Sequence, residues 1–174
     1  MDTLRYPIGQ FTAVQDTTDV LRKQFIRSIA EMPSDLRQAV QGLQVAQLNT
    51  PYRPGGWTVR QVVHHLADND MNAYIRFKRA LTEDHPIAGS YREDLWAELS
   101  DSRESPVDTS ILLIESLRSR FVTLLLKMLP SDFKRPFTSP TFGDMTLDVA
   151  VQRYAWHGRH HIAQITSLGE RMGW

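Results

Sequence analysis

Tyr154-Ala155-Trp156-His157-Gly158-Arg159-His160-His161-Ile162-Ala163-Gln164 carries two histidines four residues apart. On a helix turning about 100° per residue, His161 falls about 40° from His157. Leu147, Ala150, Tyr154, Ile165 and Leu168 lie on the same side, within about 80°. Both imidazoles therefore sit inside the apolar stripe that should face a core. His160, at about 300°, and Arg159, at about 200°, turn toward the flanks or solvent. The periodicity predicts a helix from Thr146 to Arg171, with Gly173 just beyond it.

Three more long segments have helical character. One spans Thr18 to Leu43, with Leu21, Phe25, Ile29 and Met32 at steps of four and three. Pro33 should break or kink it, leaving Ser34 as a fresh N-cap. A second spans Thr58 to Leu81, where Thr58 and Gln61 have the spacing of a capping box. The third runs from Thr109 to Leu129 and ends at Pro130. The stretch from Asp84 to Asp108 is a long connection with a short helix near Glu93 to Leu99. Phe133 to Asp144 reads as a turn or small hairpin. The expected fold is all-α: a single domain over residues 1–174, built as a four-helix bundle with long crossover connections.

Composition narrows the function. Twenty basic and twenty acidic side chains balance, so no electrostatic footprint for nucleic acid or an anionic membrane is present. The absence of cysteine excludes disulfides, thiolate metal sites and a cysteine nucleophile. Met1 to Pro7 lack the pattern of a signal peptide, and no apolar run approaches the ~20 residues of a membrane span. A cytoplasmic protein acting on a small-molecule substrate is the expectation.

Five of the six histidines lie in two segments, the second being Val62-Val63-His64-His65-Leu66-Ala67-Asp68. On that helix His65 lies at the edge of the apolar stripe, beside Gln61, Asp68, Asn69, Asn72 and Arg76. This strip reads as one wall of a wet pocket, and His64 points about 100° away. Neutral imidazoles ligate zinc, nickel, copper and ferrous iron. Ligands at i and i+4 converge on one ion, and a third from another helix closes the set while leaving a position for water or substrate. No His-Glu-x-x-His sequence is present, and neither histidine helix carries the Glu-x-x-His of a di-iron bundle. Asp68 is the nearest candidate base, more simply read as orienting His65 or Arg60. Gln164 reads as a supporting or solvent-facing residue. Arg76 and Arg153 are candidates for an anionic substrate group, with surface ion pairs as the plainer role. Trp156, off the stripe, suggests a dimer contact, and His85 an exposed loop residue.

The run Thr50-Pro51-Tyr52-Arg53-Pro54-Gly55-Gly56-Trp57-Thr58-Val59-Arg60-Gln61-Val62-Val63-His64-His65-Leu66-Ala67-Asp68 resembles the YfiT-type metal-dependent hydrolases of the DinB-like superfamily. So do Tyr6-Pro7-Ile8-Gly9, Tyr74-Ile75-Arg76-Phe77-Lys78 and the tail from Trp156 to Trp174. The resemblance implies an up-and-down type bundle, a cytoplasmic homodimer, and a metal held by His65, His157 and His161. Zinc suits three neutral nitrogens, with nickel a second occupant. Hydrolysis is the activity the resemblance implies. Relatives in the wider superfamily suggest an alternative, a thiol S-transferase using a low-molecular-weight thiol such as bacillithiol.

Overall fold

Local capping starts and stops the helices where the sequence supplies the residues for it. In the computed structural model, which describes residues 3–174, Thr18 accepts a hydrogen bond from Leu21 N at 3.2 Å and opens α1 (Asp19–Val40). A single turn, α2 (Val45–Leu48), follows. At the start of α3 (Val59–Thr82) the capping box closes: Gln61 N donates to Thr58 Oγ1 at 3.2 Å, and Thr58 N donates to Gln61 Oε1 at 2.9 Å. The long connection holds α4 (Glu93–Trp96) and α5 (Ser100–Glu104) before α6 (Val107–Lys127). An antiparallel hairpin of β1 (Pro136–Ser139) and β2 (Gly143–Thr146) pairs Pro136 with Thr146. It feeds α7 (Leu147–Met172), which Gly173 ends in the left-handed region at φ 70°.

The expected break at Pro33 does not occur, because α1 runs through it. Proline removes the donor that would bond the Ile29 carbonyl four residues back. Arg118 Nη1 of α6 donates to that carbonyl instead, at 2.9 Å. The same guanidinium grips Asp70 of α3, through Nε to Oδ2 at 2.5 Å and Nη2 to Oδ1 at 2.9 Å. One buried side chain thus ties three helices together and repairs the proline.

In the bundle α1 packs on α6 and α7, and α3 also packs on α6 and α7. The long helices consecutive in sequence, α1 with α3 and α6 with α7, are therefore diagonal, and their connections cross the bundle ends. This corrects the simple up-and-down order, in which consecutive helices are neighbours. The core falls into two apolar halves. One gathers Ile29, Phe77, Phe121 and Tyr154, and the other Met32, Leu66, Ile114 and Ile165. Between these residues in sequence lie Asp70, Arg118, His157 and His161, so the core has a polar waist. A Cβ on Gly158 would stand 2.8 Å from Met32 Cγ, so glycine lets α1 approach α7 beside His157.

The segment before α1 lies across α7. Val14 N donates to Gln152 Oε1 at 2.8 Å, and Gln152 Nε2 donates back to Val14 O at 3.2 Å. Tyr6 and Phe11 cover the flank that a bare bundle would expose. Among the described residues no helix is long and apolar enough to cross a membrane.

Candidate metal centre

His65 projects from α3, and His157 and His161 from successive turns of α7. Their Nε2 atoms converge. His65 and His157 are 3.4 Å apart, His161 and His157 are 3.2 Å apart, and all three ligand atoms lie within 4.8 Å of one another. A hydrogen bond needs one N–H and one lone pair, so His157 Nε2 can satisfy only one of these neighbours. Two nitrogens each ~2.0–2.1 Å from one tetrahedral ion would be separated by about 3.3–3.4 Å. The observed spacing matches that edge, and the donor set fits a divalent ion. His161 Nδ1 donates to Gln164 Oε1 at 2.8 Å, which leaves its Nε2 lone pair free for the cluster. Gln164 is held in turn by donating Nε2 to Arg5 O at 2.9 Å and His160 Nε2 at 3.0 Å.

His64 and His85 stand apart, while the ring of His160 meets that of His161 edge-on at 5.0 Å. His64 is buried with Nδ1 2.7 Å from Ser110 Oγ and Nε2 3.1 Å from Ser105 O, away from the cluster. His85 is exposed beside Asp144, at φ 41°. His160 departs from expectation: it is buried, because the N-terminal segment lays Tyr6 over it while Trp156 stacks on its ring at 4.6 Å. Trp156 also meets Phe11, so the face read as a dimer contact is covered by the chain's own N-terminal segment.

Burial holds these imidazoles neutral. It is the largest cause pushing His65 down to about 4, reinforced by His160, and it drives His157 and His161 well below the ordinary 6.5. The His161 charge on His157, and the His65 charge on His161, add to the effect. The folded chain thus binds fewer protons than the unfolded chain below pH 6.5. Stability of the metal-free protein is full above about pH 6.5 and is lost as the pH falls toward about 4. Asp68 works the other way, since burial and then Asp101 raise it to about 6, but it is one half-buried group against several buried ones. Thermal melts of metal-stripped protein should show a falling Tm from pH 6.5 to 4.5, with each depressed unit worth about 1.4 kcal/mol. A flat profile would count against buried neutral histidines.

A cavity of about 710 Å³ opens onto the cluster. Trp57 walls it, with its ring 4.6 Å from His65 and 6.4 Å from His161. Arg76 Nη1 donates to the Tyr154 hydroxyl, and Arg153 reaches the same space from α7. Of the polar strip expected on α3, Asn69 and Arg76 line this cavity while Gln61, Asp68 and Asn72 do not. Gln61 is spent on its cap and on Ala97 O, and Asn72 on Asp68 O. Asp68 orients neither expected partner, since Arg60 is held by Asn49 and Ser105 O. The carboxylates lining the cavity are Glu93 and Asp94, both exposed. Trp57, Tyr154 and Arg5 escaped the sequence reading as site residues. Only Tyr154 carried a signal, its place on the stripe of His157.

Known proteins agree with this architecture. The DinB superfamily profile matches residues 28–165. Proteins of Bacillus mycoides and Bacillus cereus are each 51% identical over 174 residues, covering 100% of both chains, and their names put them forward as metal-dependent hydrolases. The solved structure of YfiT from Bacillus subtilis is 46% identical, with a TM-score of 0.97 over 99% of each chain. It is put forward in the same terms, with an unusual four-helix bundle topology. With the profile covering most of the chain and full-length relatives sharing half its residues, the chain belongs to the DinB superfamily.

Proposed function

We propose that the chain is a metal-dependent hydrolase of small molecules, in which His65, His157 and His161 hold one divalent ion, zinc first and nickel second. The observation that carries this is the convergence of three neutral Nε2 atoms, those of buried His65 and His161 and half-buried His157, at 3.2 and 3.4 Å on the edge of a cavity. When bound, such an ion lowers the pKa of a coordinated water toward neutrality and polarises a carbonyl. The chain's own residues do the rest. Gln164 fixes the tautomer of His161, Trp57 keeps bulk water from the flank of His65, and the cavity gives a substrate room beside the cluster. Replacing Gln164 by Leu removes that acceptor and should weaken zinc binding by roughly 10–100-fold, read by chelator competition. Unchanged affinity would remove Gln164 from the site.

Among the described residues the only carboxylates lining the cavity are the exposed Glu93 and Asp94, which also suits a thiol S-transferase, where a bound ion would supply activation of a thiol nucleophile. One assay separates the readings. Zinc-loaded protein is offered small esters and amides, and separately an electrophilic dye with a low-molecular-weight thiol. Chelator-sensitive cleavage without thiol supports hydrolysis. Thiol-dependent conjugation without any cleavage would move the site to S-transfer.

A further inference from the structure

More arginines than carboxylates line the cavity. Five arginines line it (Arg5, Arg53, Arg76, Arg92 and Arg153) against Glu93 and Asp94. Asp94 is already taken by Arg92 at 2.6 Å. Arg153 makes no ion pair among the described residues. Its guanidinium carbon lies 3.6 Å from the centre of the Phe142 ring and 5.3 Å from that of Phe11. A guanidinium with its face on an aromatic ring keeps its in-plane N–H edge for a ligand. Arg76 spends Nη1 on the Tyr154 hydroxyl and Nη2 on Gly89 O at 3.2 Å, while its buried Nε has no partner. Two half-buried guanidinium groups that repel each other, with the exposed Glu93 the one carboxylate felt by Arg153 among the described residues, are costly unless a ligand supplies the anion.

We propose that Arg153 and Arg76 form an oxyanion subsite that reads a carboxylate or phosphate on the substrate. Arg153 precedes His157 by one turn of α7, about 6 Å along the axis. A substrate bound there carries its anionic group roughly that far from the atom presented to the histidine cluster. The proposal rests on the cavity being the reaction site, and it names the class of molecule that enters: small acids bearing a reactive group several bonds from the anion. The edge of a guanidinium fork matches either oxyanion, and its paired N–H groups reward two acceptor oxygens over one.

The test is calorimetric titration of the zinc-loaded full-length protein with succinate, with inorganic phosphate, and with neutral succinamide as the charge control. At least one anion should bind and succinamide should not, and the tighter anion identifies the group that is read. Arg153→Gln should weaken that anion by at least about tenfold with melting temperature and zinc content unchanged. In metal-free His157→Ala the anion should still bind, more tightly than in Arg153→Gln. Equal binding by wild type and Arg153→Gln, binding of succinamide like succinate, or no anion binding at all would overturn the subsite. Anion binding that vanishes with the metal would also overturn it, by placing the anion on the ion. Failure of the metal reading shows separately, as a wild-type protein that takes up no zinc but still binds the anion.

Discussion

His157→Ala is expected to lower kcat/KM for metal-dependent turnover by at least about 10³-fold. His157 is the nitrogen that both partners approach, at 3.4 Å from His65 and 3.2 Å from His161, so its loss leaves two imidazoles in place of a three-ligand set. A Lewis-acid ion contributes several kcal/mol of transition-state stabilisation, and each 1.36 kcal/mol is tenfold in rate. The variant should stay folded. The wild-type chain already holds three desolvated neutral rings there, and removing one relieves rather than creates an unpaired polar group. Kinetics beside a thermal melt check both parts. Turnover within tenfold of wild type would show that the cluster does not carry the reaction.

The second large effect is on stability. Asp70→Ala strands the Arg118 guanidinium in the core, where the two side chains are 6% and 3% exposed. Breaking a buried pair from one side costs about 3–5 kcal/mol, readable as a shift in the denaturant midpoint. Replacing both partners by apolar residues, as Asp70→Leu with Arg118→Met, should recover part of this. The remainder reflects the Ile29 carbonyl, which then loses the Arg118 donor and costs about 1–3 kcal/mol. Adding Pro33→Ala gives position 33 an N–H for that carbonyl and should recover stability again. A Pro33→Ala effect no larger in the double variant than in wild type would refute the repair.

The same network marks where sequence stops being informative. Apolar periodicity announces four long helices, and caps at Thr18, Thr58, Thr146 and Gly173 bound three of them, because those signals are local. Pro33 misleads because its compensation comes from Arg118, 85 positions away in the chain and invisible to any window. Periodicity says which face of a helix is buried but not against which partner, so the diagonal placement of α1 and α3 is not legible from it. Helical phase chose His65 over His64 and placed His157 with His161, and the structure brings those three together. It misplaced His160, since the covering segment around Tyr6 and Phe11 is irregular and has no period to read. Asp68 looked like a partner by spacing on its helix, yet the cavity opens on the Asn69 and Arg76 side.

The most direct measurement is elemental analysis of purified wild type beside single alanine variants of His65, His157 and His161, with His64→Ala and His160→Ala as controls. The account predicts one divalent ion per wild-type chain, retained in both controls and lost in each of the three variants. Full occupancy surviving His157→Ala, or an ion lost only with His64 or His160, would contradict it.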